Sequence, residues 1–156
     1  MAAKRADSEV HTVANYLVAF SQRHGDPISN LKLQKLLYYA EGWYLAFYSK
    51  SLFSADIQAW PRGPVVPSVW REFKSYYWKP ISRKVPLPSV NARVKEHIDE
   101  LMSAYGDFSA YTLERMTHEE DPWIEARHGL REDERSNRLI SRETMKNYFS
   151  GLAGAE

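Results

Sequence analysis

The chain contains no cysteine, so disulfides and thiolate-based metal or redox chemistry are excluded from the outset. The same absence suits a cytoplasmic location, and that location is expected here. No stretch approaches the roughly 18 consecutive apolar residues of a membrane-spanning helix. The opening MAAKRADSE lacks the apolar run of a signal peptide. Glycine is sparse, 7 in 156 residues. Gly63 stands among Pro61, Pro64 and Pro67, and proline donates no backbone N–H, so this turn cannot cradle a phosphate. A nucleophilic enzyme would need Cys or a Ser in a G-x-S-x-G setting. Neither is present, and most serines fall where helix caps are needed. A pair of carboxylates could always be drawn from the acidic stretch, but nothing selects one pair over another. No catalytic residues, no cofactor and no enzymatic activity are expected.

What the chain has in quantity is aromatic side chains: ten Tyr, six Phe and five Trp. Most should be core, and some should line a binding surface, because Tyr and Trp combine apolar area with a polar handle. Net charge is only +1, yet it is unevenly distributed. Ala59 to Lys95 carries eight basic residues against Glu72 alone; Glu96 to Glu134 carries twelve acidic residues against Arg115, Arg127 and Arg131. The two segments either face one another or present separate charged surfaces. The basic segment is interleaved with Trp70, Tyr76, Tyr77 and Trp78, a composition that also suits nucleic acid. The pI near 7.9 is below that of a typical nucleic-acid-binding domain, so that reading ranks below protein binding. A metal reading of His118, Glu119, Glu120, Asp121 and His128 is weak, since adjacent residues rarely point the same way and Asp121 is better placed as a helix cap.

At 156 residues one domain is expected, with enough chain to bury a substantial core. Periodicity and caps predict a mainly α, compact domain of about six or seven helices around a buried central helix, with room for one short two-stranded β-ribbon. Residues 1–7 read as a disordered N-terminus, 8–150 as the helical domain and 151–156 as a fraying tail. The first helix should open at Asp7 or Ser8 and end at Gly25. The second, over Asn30 to Tyr48 with Ser29 or Asn30 as cap, is apolar nearly all round and must be the central pillar. Lys32 and Lys35 are the positions where its charge should reach the surface. Ile57 to Trp60 reads as a brief strand, with Pro80 to Ser82 as candidate partner. A third helix is expected from Pro67, with Val69, Trp70, Phe73 and Tyr77 turned inward, stopping at Lys79-Pro80. Residues 80–88, with three prolines, should be the most mobile internal segment. Ser89, Ser109, Asp121 and Ser141 are the expected caps of the remaining helices.

The segment Asn30 to Lys74 also carries a family pattern. Leu33, Gln34, Lys35, Leu36, Leu37 and Tyr38, then Gly42-Trp43, Leu52-Phe53, Ala59-Trp60 and Gly63-Pro64-Val65, resemble the signature of the Panacea domain. Downstream, Leu113, Thr117-His118 and Pro122-Trp123 resemble the same family's later "L…TH…PW" pattern. The similarity spans roughly residues 10 to 150, and Arg62 departs from it where an aromatic residue or His is expected. The family includes SocA-like antitoxins and phage-associated GepA-like proteins. The resemblance implies a non-catalytic antitoxin whose partner is a cognate protein toxin encoded nearby. Its alternatives are an adaptor that delivers the toxin to an ATP-dependent protease, and a mobile-element DNA-binding regulator. The contact residues expected from the basic-aromatic stretch are Trp60, Arg62, Arg71, Lys74 and Trp78.

Overall fold

The computed structural model describes residues 6–154. Among them are seven helices and one two-stranded hairpin: α1 (Val10–Arg23), α2 (Asn30–Tyr48), β1 (Gln58–Trp60), β2 (Gly63–Val65), α3 (Pro67–Glu72), α4 (Ala92–Tyr105), α5 (Ala110–Thr117), α6 (Asp121–Ala126) and α7 (Arg142–Gly154). The mainly α architecture around one central helix is as expected. No helix among the described residues is long and apolar enough to cross a membrane.

Helix α2 starts where the Ser29 side chain accepts from the Lys32 N–H at 3.2 Å, and it stops at Ser49, which turns left-handed at φ 55°. Its Leu33, Leu36, Leu37, Tyr38, Tyr39, Ala40 and Tyr44 are fully buried. It packs most extensively on α7, and also on α5, α4, β2, α1 and α3. Gly42 makes the α7 contact possible. A Cβ there would lie 2.2 Å from the Phe149 ring, which packs edge-on against Tyr38 and Tyr39. Gly42→Ala is therefore expected to lower stability by about 1–3 kcal/mol through overpacking, although alanine is the better helix former. Urea denaturation checks this, and an unchanged midpoint would refute it.

The pillar is also bolted internally by polar side chains. Asn30 donates to the Trp70 carbonyl (3.1 Å), Gln34 donates to Asn30 (2.9 Å), and Gln34 accepts from the Val66 N–H (2.8 Å). Glu41, with no solvent exposure, accepts from the N–H groups of Leu52 (2.6 Å) and Phe53 (3.4 Å) and from Arg142 Nε. The same guanidinium donates to the carbonyls of Phe53 (2.9 Å) and Ala55 (2.7 Å). One ion pair thus ties α2, the 52–55 loop and α7 together. Lys35 corrects the expectation of a surface charge: only 1% of it is exposed. Lys32 is half-buried and donates to the Gly106 carbonyl.

Several local expectations also change. The partner of β1 is β2, joined through a tight turn with Ala59 opposite Pro64, rather than Pro80–Ser82. Pro80 bridges Ser29 instead, and the free edge of β1 is occupied by Ile140 and Arg138, through Ile140 N–H to Ile57 O (2.8 Å) and Ala59 N–H to Arg138 O (2.9 Å). Helix α3 ends at Glu72, short of the expected Lys79-Pro80, and in the turns that follow Tyr77 takes a left-handed φ of 51° and lies exposed. The 80–88 segment is held by Gln22, which donates to the carbonyls of Ile81 and Arg83 and accepts from the Val85 N–H. Asn91 rather than Ser89 caps α4, while Ser109 caps α5 and the Ser141 hydroxyl accepts from the Thr144 N–H as α7 opens. Of the stretch 1–7, residues 1–5 lie outside the described residues. Asp7 does not cap α1: its side chain meets Tyr44 and Lys50, and its N–H bonds Ser51 O, so the chain runs alongside residues 51–52 before the helix opens. Of the tail 151–156, residues 151–154 complete α7 and the last two lie outside the described residues.

Candidate functional site

The hairpin turn, the start of α2, α3 and the 135–137 loop enclose a groove of about 950 Å³. Its walls include Leu31, Pro61 and Val65, and an aromatic row crosses it. Trp60 meets Trp70 edge to face (centroids 5.8 Å apart), and Trp70 meets Tyr77 likewise (5.7 Å). Arg62, Lys74 and Arg135 supply positive charge around these rings, and Lys35 reaches the groove from below.

Of the five expected contact residues, Trp60, Arg62 and Lys74 come together in this groove. Arg71, exposed on α3, and Trp78, 66% exposed beside Lys79, lie outside its lining. The sequence pattern turns Trp70 and Tyr77 into the core and Lys35 to the surface, whereas all three line the groove. The unusual signal for Lys35 is visible in sequence, a cation near the start of an otherwise apolar helix. Nothing local marks Tyr77, because its outward turn depends on a left-handed backbone.

Two close approaches fix the geometry. Gly63 has φ +111°, a conformation L side chains rarely adopt; a Cβ there would lie 2.9 Å from Lys35 Cε and 3.1 Å from Thr117 Oγ1. On the far side of the turn, Trp123 Nε1 donates to the Trp60 carbonyl (2.9 Å), and His118 stacks on Trp123 with centroids 4.1 Å apart. Arg127 donates to the Ala59 carbonyl (2.8 Å). The Thr-His and Pro-Trp pairs therefore brace the hairpin from behind. Arg62 points back to Glu114 on α5 (3.2 Å), one of the pairs joining the basic and acidic segments.

The acidic turn at 119–121 is not simply a surface feature. Glu120 is buried and accepts from the hydroxyls of Tyr38 (3.0 Å) and Tyr39 (2.9 Å). Burial outweighs these two donors and pushes its carboxyl up to about 7. Asp121 is exposed in the first turn of α6 and its side chain makes no cap bond. Among the described residues, no three His, Asp or Glu side chains converge as metal ligands.

Residues 33–124 match the family model described as "Antitoxin SocA-like, Panacea domain". The chain belongs to this family. A relative in Caulobacter vibrioides (strain NA1000 / CB15N), named Antitoxin SocA, is 31% identical over 128 residues, covering 74% of this chain and 68% of the relative. No solved structure matches the chain. The Panacea match starts at Leu33 and ends just beyond Trp123. It therefore takes in the pillar from Leu33, the hairpin and its brace, while Arg135 and the α7 clamp lie outside it.

Proposed function

We propose that this protein is the antitoxin of a toxin–antitoxin pair and neutralises a cognate protein toxin, encoded nearby, by direct binding and without catalysis. Membership of the SocA-like family supports the antitoxin role. The observation that carries the binding reading is the convergence of Trp60, Arg62 and Lys74 on one groove. Neutralisation by binding needs a complementary surface and no chemistry. Trp and Arg are frequent anchors of such surfaces, and a hairpin braced from behind loses little freedom when a partner docks. Arg71 and Trp78 extend the contact beyond the groove, with Trp78 offering a large apolar face to solvent.

The test is co-expression with the product of the neighbouring open reading frame, scoring growth and complex formation. A toxic neighbour rescued by this chain in a stable complex is the expected result. Within that complex, the double variant Arg62→Glu/Lys74→Glu should bind at least about tenfold more weakly, with steeper loss at low salt. Arg71→Glu should have the smaller effect, being outside the groove. Calorimetry on folded variants checks the order; unchanged affinity in the double variant would overturn the placement of the surface.

A further inference from the structure

We infer that the groove is built to receive a carboxylate carried on an apolar segment of the partner protein, with the Lys35 ammonium as its counter-ion. This rests on the antitoxin reading and specifies what the groove recognises.

Lys35 is almost fully buried, and among the described residues its ammonium has no hydrogen-bonded or ion-paired partner. The charged groups that act on it are Glu114, which favours its charge, and Arg62, which opposes it; Glu114 is itself engaged by Arg62. A buried cation without a partner is costly to a fold, so its presence on a groove floor points to a ligand that completes the pair. Gly63 lets the hairpin backbone close over one side of the lysine's end, since a Cβ there would lie 2.9 Å from Cε and 3.4 Å from Nζ; the groove is the side from which a ligand would approach.

The walls choose between anions. Trp60, Trp70 and Tyr77 pack edge to face at 68° and 75°, presenting no parallel platform for stacked bases. Around the one deep cation they give an apolar rim with Lys74 and Arg135 at its edge. That arrangement fits a single acidic side chain flanked by apolar ones better than a run of phosphates.

Phenylacetate is a minimal probe of this chemistry, with phenylacetamide as its uncharged counterpart. In ¹H–¹⁵N spectra of the full chain, phenylacetate should shift the indole signals of Trp60 and Trp70 and bind at least tenfold more weakly to Lys35→Met. Phenylacetamide should leave those signals in place. Direct NMR titration of the Lys35 ammonium gives a readout that needs no variant: saturating phenylacetate should raise its pKa. The inference is overturned if the amide binds as well as the acid, if Lys35→Met keeps its affinity while folded, or if inorganic phosphate displaces the probe at lower concentration. No toxin is in the tube, so the two readings fail separately. A toxin complex with a groove indifferent to phenylacetate would sink this inference alone. Probe binding at Lys35 without any toxin complex would sink the antitoxin reading alone.

Discussion

Replacing Arg142 by methionine is expected to lower stability by about 3–5 kcal/mol at neutral pH, the usual consequence of leaving a buried charge without its partner. Glu41 would keep only the Leu52 and Phe53 N–H groups, and the carbonyls of Phe53 and Ala55 would lose their donor. Already in the native protein, burial raises the Glu41 carboxyl above its ordinary 4.5, with Arg142 as the largest opposing influence. Without the guanidinium it must rise further. A carboxyl whose folded pKa exceeds its unfolded one stabilises most at low pH and loses that contribution as pH rises through the folded value. The deficit of Arg142→Met should therefore shrink at pH 5 relative to pH 8. Adding Glu41→Gln should recover part of it at pH 8. Guanidinium denaturation of the single and double variants at both pH values checks this, and a loss that is small or identical at both would contradict it.

Lys35→Met should act in the opposite direction and stabilise the free protein by about 3 kcal/mol at pH 7. Burial lowers the Lys35 ammonium from its ordinary 10.5 to about 8, a difference equivalent to that amount at about 1.4 kcal/mol per unit. Between those values the unfolded chain binds the extra proton, so wild-type stability rises with pH across the window and is lost as pH falls toward 8. The advantage of the methionine variant should thus fall to about half by pH 9.5 and vanish above 10.5. Glu120 works in the neighbouring window with the other sign. Its folded value near 7 makes its contribution full below 4.5 and lost as pH climbs to 7. Together the two groups place a local minimum of wild-type stability near pH 7–8. Thermal denaturation of wild type and Lys35→Met from pH 5 to 9.5 tests both signs. A variant that is less stable than wild type at pH 7 would refute the account. If the groove binds its partner through this lysine, the same substitution gives a firmer protein and a weaker antitoxin.

The pillar, the first strand and the caps at Ser29, Ser109 and Ser141 are legible because each depends on neighbours within a few residues. The direction of polar side chains on α2 is not. A helix covered on every side has no polar face, so periodicity cannot say where Lys35 or Glu41 points. Their surroundings are set by distant chain, as in Glu41 with Arg142 or Gln34 with Val66. Gly63–Val65 is missed as the strand partner because prolines on either side of Gly63 read as turn; the two-residue turn at Pro61-Arg62 leaves room for the pairing. Of the groove's lining, Trp60, Arg62 and Lys74 stand out in the composition of the basic-aromatic stretch. The groove's floor and two of its three aromatic rings, Trp70 and Tyr77, are not legible as lining, since Lys35 enters through tertiary packing and Tyr77 through a left-handed backbone.

The Glu41–Arg142 clamp also sets a timetable for synthesis. The two residues are 101 positions apart, roughly 5–20 s of translation at typical elongation rates. Throughout that interval the most apolar helix of the protein has been made, while the helix that covers its Gly42 face and neutralises its carboxylate has not. A nascent chain in that state exposes the pillar to any holdase or protease at the ribosome exit. Closure of the pillar's Gly42 face and neutralisation of Glu41 therefore wait for the thirteen residues of α7.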